Sequence, residues 1–88
     1  MLSKNDRQII IAFAKRYKAK AIYLFGSSLH DVQARDIDLG VIGVKGVAFF
    51  GLLGKLLRYL SKNVDLVDFS KKTPFVKEIE KEAVKIYG

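Results

Sequence analysis

Cysteine is missing from this 88-residue chain, and with it any disulfide framework, thiolate nucleophile or cysteine-based zinc site. His30 is the single histidine, so no Ser-His-Asp or Cys-His set is evident. No stretch approaches the ~20 apolar residues that a membrane span needs. The apolar run at 9–14 is too short for a signal core and is followed at once by Lys15 and Arg16. These absences fit a soluble protein in a reducing cytoplasm. Asn and Gln occur only twice each, a scarcity expected of heat-adapted proteins. Acidic residues are outnumbered, 9 against 16 Lys and Arg, which leaves a net charge of +7. That balance favours anionic partners: nucleic acid, nucleotide phosphates or an acidic protein face. A merely solvated lysine-rich surface is the plain alternative.

What is present suits a folded globular chain. Half the residues are hydrophobic and 28% are charged. The length predicts a single domain over 1–88 with an adequate but thin core. Apolar periodicity divides the chain into alternating helices and strands. Ser3 and Asp6 resemble a capping box that opens a helix over 4–18, with Ile10, Phe13, Ala14 and Tyr17 on one face. A short run of strand formers at 21–25 is stopped by Gly26. Residues 36–42 read as a second strand, and 47–61 as a helix that buries Phe49, Leu52, Leu53, Leu56 and Leu60. Gly51 and Gly54 in that helix lower its propensity and mark either a close helix contact or, the expected case, packing against the sheet. A third strand follows at 64–69. Thr73 is a good N-cap and Pro74 a good first residue for a last helix, with Val76, Ile79, Ala83 and Ile86 inward. The fold class is therefore α/β (α+β), in the order αββαβα: a small sheet of about three strands with helices on at least one face.

The chemistry lies between Gly26 and Asp68. Successive strand residues point to opposite faces, so Asp36 and Asp38 share one face and Ile37, Leu39 and Val41 the other. Two carboxylates about 7 Å apart along a strand repel each other unless a cation lies between them. Oxygen ligands of this kind suit Mg²⁺, which also takes substrate phosphates. The alternative is an exposed strand face with two solvated aspartates, although Asp is depleted in strands. Gly26, Ser27 and Ser28 follow the first strand. A helical turn beginning there would turn free N–H groups and hydroxyls toward an anion, whereas an ordinary strand-ending turn needs no ligand. In the third strand, Asp65, Val67 and Phe69 share one face, and Val64, Leu66 and Asp68 the other. If that strand lies beside the second, Asp65 completes a three-carboxylate cluster able to hold two metal ions. Asp68 is expected to cap the strand end or the following loop.

Together these residues carry a resemblance. Gly26-Ser27, eight residues, Asp36-x-Asp38 and the later strand at 64–68 resemble the DNA polymerase beta-like nucleotidyltransferase superfamily, and within it the minimal nucleotidyltransferases. The resemblance covers nearly the whole chain. It implies that Gly26, Ser27 and Ser28 bind the triphosphate of ATP or another nucleotide. It implies that Asp36, Asp38 and Asp65 hold Mg²⁺, two ions in all, with Asp65 a ligand or a base toward the acceptor hydroxyl. The implied reaction moves a nucleoside monophosphate onto that hydroxyl, with pyrophosphate leaving. Eight residues stand between Ser27 and Asp36 where the family commonly has ten, and Ser28 stands where Arg often follows. Arg35 and Lys45 are candidates for the displaced positive charge. Larger relatives close the cleft with a second domain, so the resemblance implies a partner here: a second copy, or a HEPN-type toxin that the antitoxin-like transferase adenylylates on a tyrosine. The alternative function is an interaction module, weakly active or inactive, that neutralises its partner by binding. An exposed apolar patch on the 47–61 helix would mark it. Direct RNA binding through the lysines has no aromatic and basic strand motif behind it.

Overall fold

The computed structural model describes residues 2–31 and 33–88. Helix α1 spans Lys4–Arg16. The Ser3 hydroxyl accepts from the Asp6 amide at 3.1 Å, which caps the helix, and Lys15 and Arg16 complement its C-terminal dipole. The Asp6 carboxylate does not turn back to close a capping box. It is buried and accepts instead from the amide (3.1 Å) and the hydroxyl of Ser61, which ties the first turn of α1 to the chain just ahead of the third strand.

Strand β1 is Ala21–Phe25, followed by a 3-10 turn over Gly26–Leu29. Strand β2 is Asp36–Ile42, helix α2 is Val47–Tyr59 and strand β3 is Asn63–Asp68. These elements agree with the expected ones to within two residues at each end. β1 and β2 pair antiparallel, whereas β2 and β3 pair parallel, with α2 as the crossover that a parallel connection requires.

The C-terminal segment differs from the sequence expectation. Helix α3 covers only Pro74–Ile79, with Thr73 accepting from the Val76 amide, and strand β4 follows at Val84–Tyr87. β4 pairs antiparallel with β1, giving a four-stranded mixed sheet in the order β3-β2-β1-β4. Val76, Ile79, Ala83 and Ile86 all face inward, but from different elements. The first three pack on one face of the sheet with Phe25 and Phe69, and Ile86 packs on the other. The physical reason is the edge of β1. Without a partner, its amides and carbonyls would be left open on that side, and β4 satisfies them.

The two faces are built differently. α1 and α2 cover one, enclosing Ile10, Ala14, Ile22, Leu39, Val41, Leu52 and Leu56. α3 covers part of the other, over Phe25, Phe69 and Val76. Neither helix glycine packs on the sheet as expected. A Cβ on Gly51 would come within 3.2 Å of the Tyr17 ring, so Gly51 serves the α1–α2 contact, and one on Gly54 would meet nothing within 4 Å. Among the described residues no helix is long and apolar enough to cross a membrane.

Candidate active site

Asp36, Asp38 and Asp65 lie on the α3 face of the sheet, opposite α1 and α2. This follows from alternation: Ile37 and Leu39 on β2, and Val64 and Leu66 on β3, are buried in the α1–α2 core. The parallel register sets Asp38 directly beside Asp65. Asp36 and Asp65 are exposed, while Asp38 is half-buried. Burial holds the Asp38 carboxyl above its ordinary pKa, and the negative charges of Asp65 and Asp36 push it further the same way. Both neighbouring carboxylates therefore act on Asp38.

The loop after β1 closes on this group. Gly26 has φ of +69° and lies so near Asp38 that a Cβ there would fall 2.4 Å from Oδ2. Only glycine fits both the backbone and the contact. Ser27 is exposed, and its carbonyl accepts from the amides of His30 and Asp31. Ser28 departs from the expectation that its hydroxyl meets a nucleotide. Its side chain is buried; the hydroxyl donates to the Phe25 carbonyl at 2.8 Å and accepts from the Asp38 amide at 3.2 Å. Ser28 thus fixes the end of β1 against the start of β2 and positions Asp38. Stacked and tilted rings of Tyr23, Phe25 and Phe69, with centroids 5.5–5.7 Å apart, form an apolar floor beside the carboxylates.

The approach of four residues to the site was not legible in the sequence. Gly26 shares a cavity of about 370 Å³ with Glu78, Ile79, Lys81 and Glu82, at and beyond the end of α3. Their approach depends on how the chain folds back after α3, for which no local motif exists. Lys45 lies elsewhere, at the N-terminal end of α2 beside Asp68, so it does not supply positive charge to the carboxylates. Arg35 is exposed next to Asp36. His30 is exposed at the end of the 3-10 turn. Asp68 caps the loop after β3 as expected, accepting from the amide and hydroxyl of Ser70. Burial would raise its pKa, but the two Ser70 hydrogen bonds, with Lys71 and Lys45 nearby, outweigh that and hold it below its ordinary value.

Among the described residues no three His, Cys, Asp or Glu side chains converge into a ready-made cation cage. The donor chemistry nevertheless fits Mg²⁺. That ion needs one or two hard carboxylates and takes its remaining ligands from water and phosphate. Asp38 beside Asp65 is such a pair, and the repulsion that raises Asp38 is what a cation would relieve.

A mixed sheet with a glycine-serine turn after one strand and paired carboxylates on the next two is the frame of a nucleotidyltransferase. The sequence profile described as polymerase beta, nucleotidyltransferase matches residues 7–88, and the chain belongs to that family. No curated protein sequence matches the chain. Several solved structures resemble it. A toxin–antitoxin structure with AMP-PNP is 29% identical over 93% of this chain and 73% of its own, with a TM-score of 0.78. The toxin–antitoxin MntA–HepT is 25% identical over 98% of this chain and 73% of its own, with a TM-score of 0.75. The MNT antitoxin in complex with a tri-AMPylated Shewanella oneidensis HEPN toxin is 27% identical over 94% of this chain and 70% of its own, with a TM-score of 0.73.

Proposed function

We propose that this nucleotidyltransferase domain, spanning residues 1–88, moves AMP from ATP onto a hydroxyl, a tyrosine of a HEPN-type partner, in the cytoplasm. The in-register pair of Asp38 and Asp65 beside Gly26 carries this reading. The choice of AMP and of a HEPN-type acceptor is supported by the AMP-PNP structure and the tri-AMPylated toxin among the similar proteins.

In this reading Asp36, Asp38 and Asp65 hold Mg²⁺. When bound, the metal would neutralise the triphosphate and lower the barrier to its cleavage. Gly26 lets the backbone approach the phosphates closely, and Ser27 offers its exposed hydroxyl to them. Ser28 fixes Asp38 through the amide contact described above. The acceptor oxygen attacks the α-phosphorus; its O–P bond forms as the α–β bridging P–O bond breaks, and pyrophosphate leaves. Asp65, exposed at the open edge of the carboxylate group, takes the hydroxyl proton. The enzyme supplies alignment and charge neutralisation and needs no covalent nucleophile.

Calorimetric titration with ATP, with and without Mg²⁺, tests this directly. Wild type should bind ATP in a metal-dependent way that Asp36→Asn abolishes. Transfer of labelled AMP to a HEPN-type partner should fall by more than about a hundredfold in Asp36→Asn. Undiminished transfer by an Asp36→Asn/Asp38→Asn double variant would remove the carboxylates from the mechanism.

A further inference from the structure

Helix α2 is covered on one side only. Leu52 and Leu56 are buried against the sheet and α1. On the outer side, Val47 is 90% exposed, Phe50 69% and Leu57 46%. With Gly54 they fall at i, i+3, i+7 and i+10, a continuous stripe along the helix. Isolated exposed apolar residues are ordinary, but a stripe of them is not. At its N-terminal end the Phe49 and Phe50 rings, edge to face at 5.5 Å, wall a cavity of about 390 Å³ that Lys45, Asp68 and Lys71 help to line. The Asp68 carboxylate is already engaged by Ser70, and the two lysines leave the cavity net positive. No acidic residue occurs between Asp38 and Asp65, while Lys45, Lys55 and Arg58 lie in or beside α2. Gly54 lowers the helix propensity of α2 relative to Ala, and nothing in the packing of the described residues requires it.

We infer that the outer face of α2 docks an acidic amphipathic helix of a partner protein. The partner lies along residues 47–57, sets an apolar side chain into the cavity beside Phe49 and Phe50, and turns carboxylates toward Lys45, Lys71 and Arg58. Gly54 lets its backbone approach closely. Charge selects the occupant. A second copy would oppose Lys45, Lys55 and Arg58 to the same cations, with no acidic residue of α2 to meet them. The face lies on the opposite side of the sheet from Asp36, Asp38 and Asp65, so docking leaves the carboxylates open. The inference goes beyond the transfer reaction and does not rest on it.

A synthetic amphipathic helix with leucine on one face and glutamate along its flanks is a suitable probe, titrated into isotope-labelled protein and followed by amide chemical shifts. Shifts should be confined to residues 45–58 and the neighbourhood of Asp68 and Lys71. Phe50→Ala, which adds no charge, and Phe50→Glu should each weaken binding about tenfold or more. Both should melt like wild type, since Phe50 is mostly exposed. Asp36→Asn should bind the probe as wild type does, which separates this face from the catalytic carboxylates. A probe with lysine in place of glutamate should fail to bind. Shifts elsewhere, no binding at millimolar probe, or full binding by Phe50→Glu would overturn the inference. So would a dimer in sedimentation that Phe50→Glu dissociates, or binding to phosphatidylglycerol vesicles in preference to the acidic helix.

Discussion

Asp38 and Asp68 are carboxylates whose environments act on them in opposite directions. Asp38 is raised by burial and by Asp65 and Asp36, so its ionised form is disfavoured in the fold. Its cost to stability is full above the folded pKa and disappears as pH falls through that value toward 3.8, the ordinary value. Asp68 is lowered, so it contributes stability above pH 3.8 that is lost as pH falls through its folded pKa. Asp38→Asn should therefore raise the melting temperature at pH 7 while abolishing transfer, and the gain should shrink toward pH 3.8. Asp68→Asn should lower the melting temperature at pH 7 and leave the metal-dependent binding of ATP in place. Thermal melts across pH 3 to 8 check both signs. An Asp38→Asn variant less stable than wild type at pH 7 would mean that burial and the neighbouring aspartates do not penalise the Asp38 carboxylate. The gain expected for Asp38→Asn is the stability given up to hold a half-buried carboxylate beside two like charges.

At the scale of elements, the paired strands β2 and β3 leave room for no side chain at one position. Gly40 lies under the Phe69 ring, and a Cβ there would fall 2.4 Å from it. Gly40→Ala should cost about 1–3 kcal/mol by overpacking. Phe69→Leu in the same chain should recover part of that loss, because the smaller side chain vacates the space. Denaturant unfolding of the single and double variants checks the coupling. These contacts also mark what local pattern could reveal. α1, β2, α2 and β3 each carried a period long enough to identify and β1 a bounded run of strand formers; alternation put Asp36 and Asp38 on one face, and Asp65 joins them because β3 does lie beside β2. Residues 76, 79, 83 and 86 have helical spacing, yet the last of them belongs to a strand. There the open edge of β1, some sixty residues away in sequence, outweighs local period. For the same reason the inward turn of the Ser28 hydroxyl and the approach of Glu78 and Glu82 to Gly26 had no local signal: each depends on a tertiary neighbour.

For the whole molecule, the sheet divides a chain of net charge +7 into two unlike faces. The α3 face carries the three carboxylates, and the α2 face carries apolar side chains among cations. A partner drawn by the overall positive field should associate more slowly as salt rises, while the carboxylates respond chiefly to metal. The faces meet mechanically through α2, which connects the two strands that bear Asp38 and Asp65. The link from Asp6 to Ser61 spans 55 residues and ends just ahead of β3. It acts as a clasp, so the first turn of α1 and the entrance to β3 should open together rather than fray separately. Native-state hydrogen exchange should find the Ser61 amide protected in wild type and fast in Asp6→Ala, with the amides of 63–65 losing protection alongside it. The strand that presents Asp65 is thus held in place, in part, by a residue in the first turn of the chain's first helix.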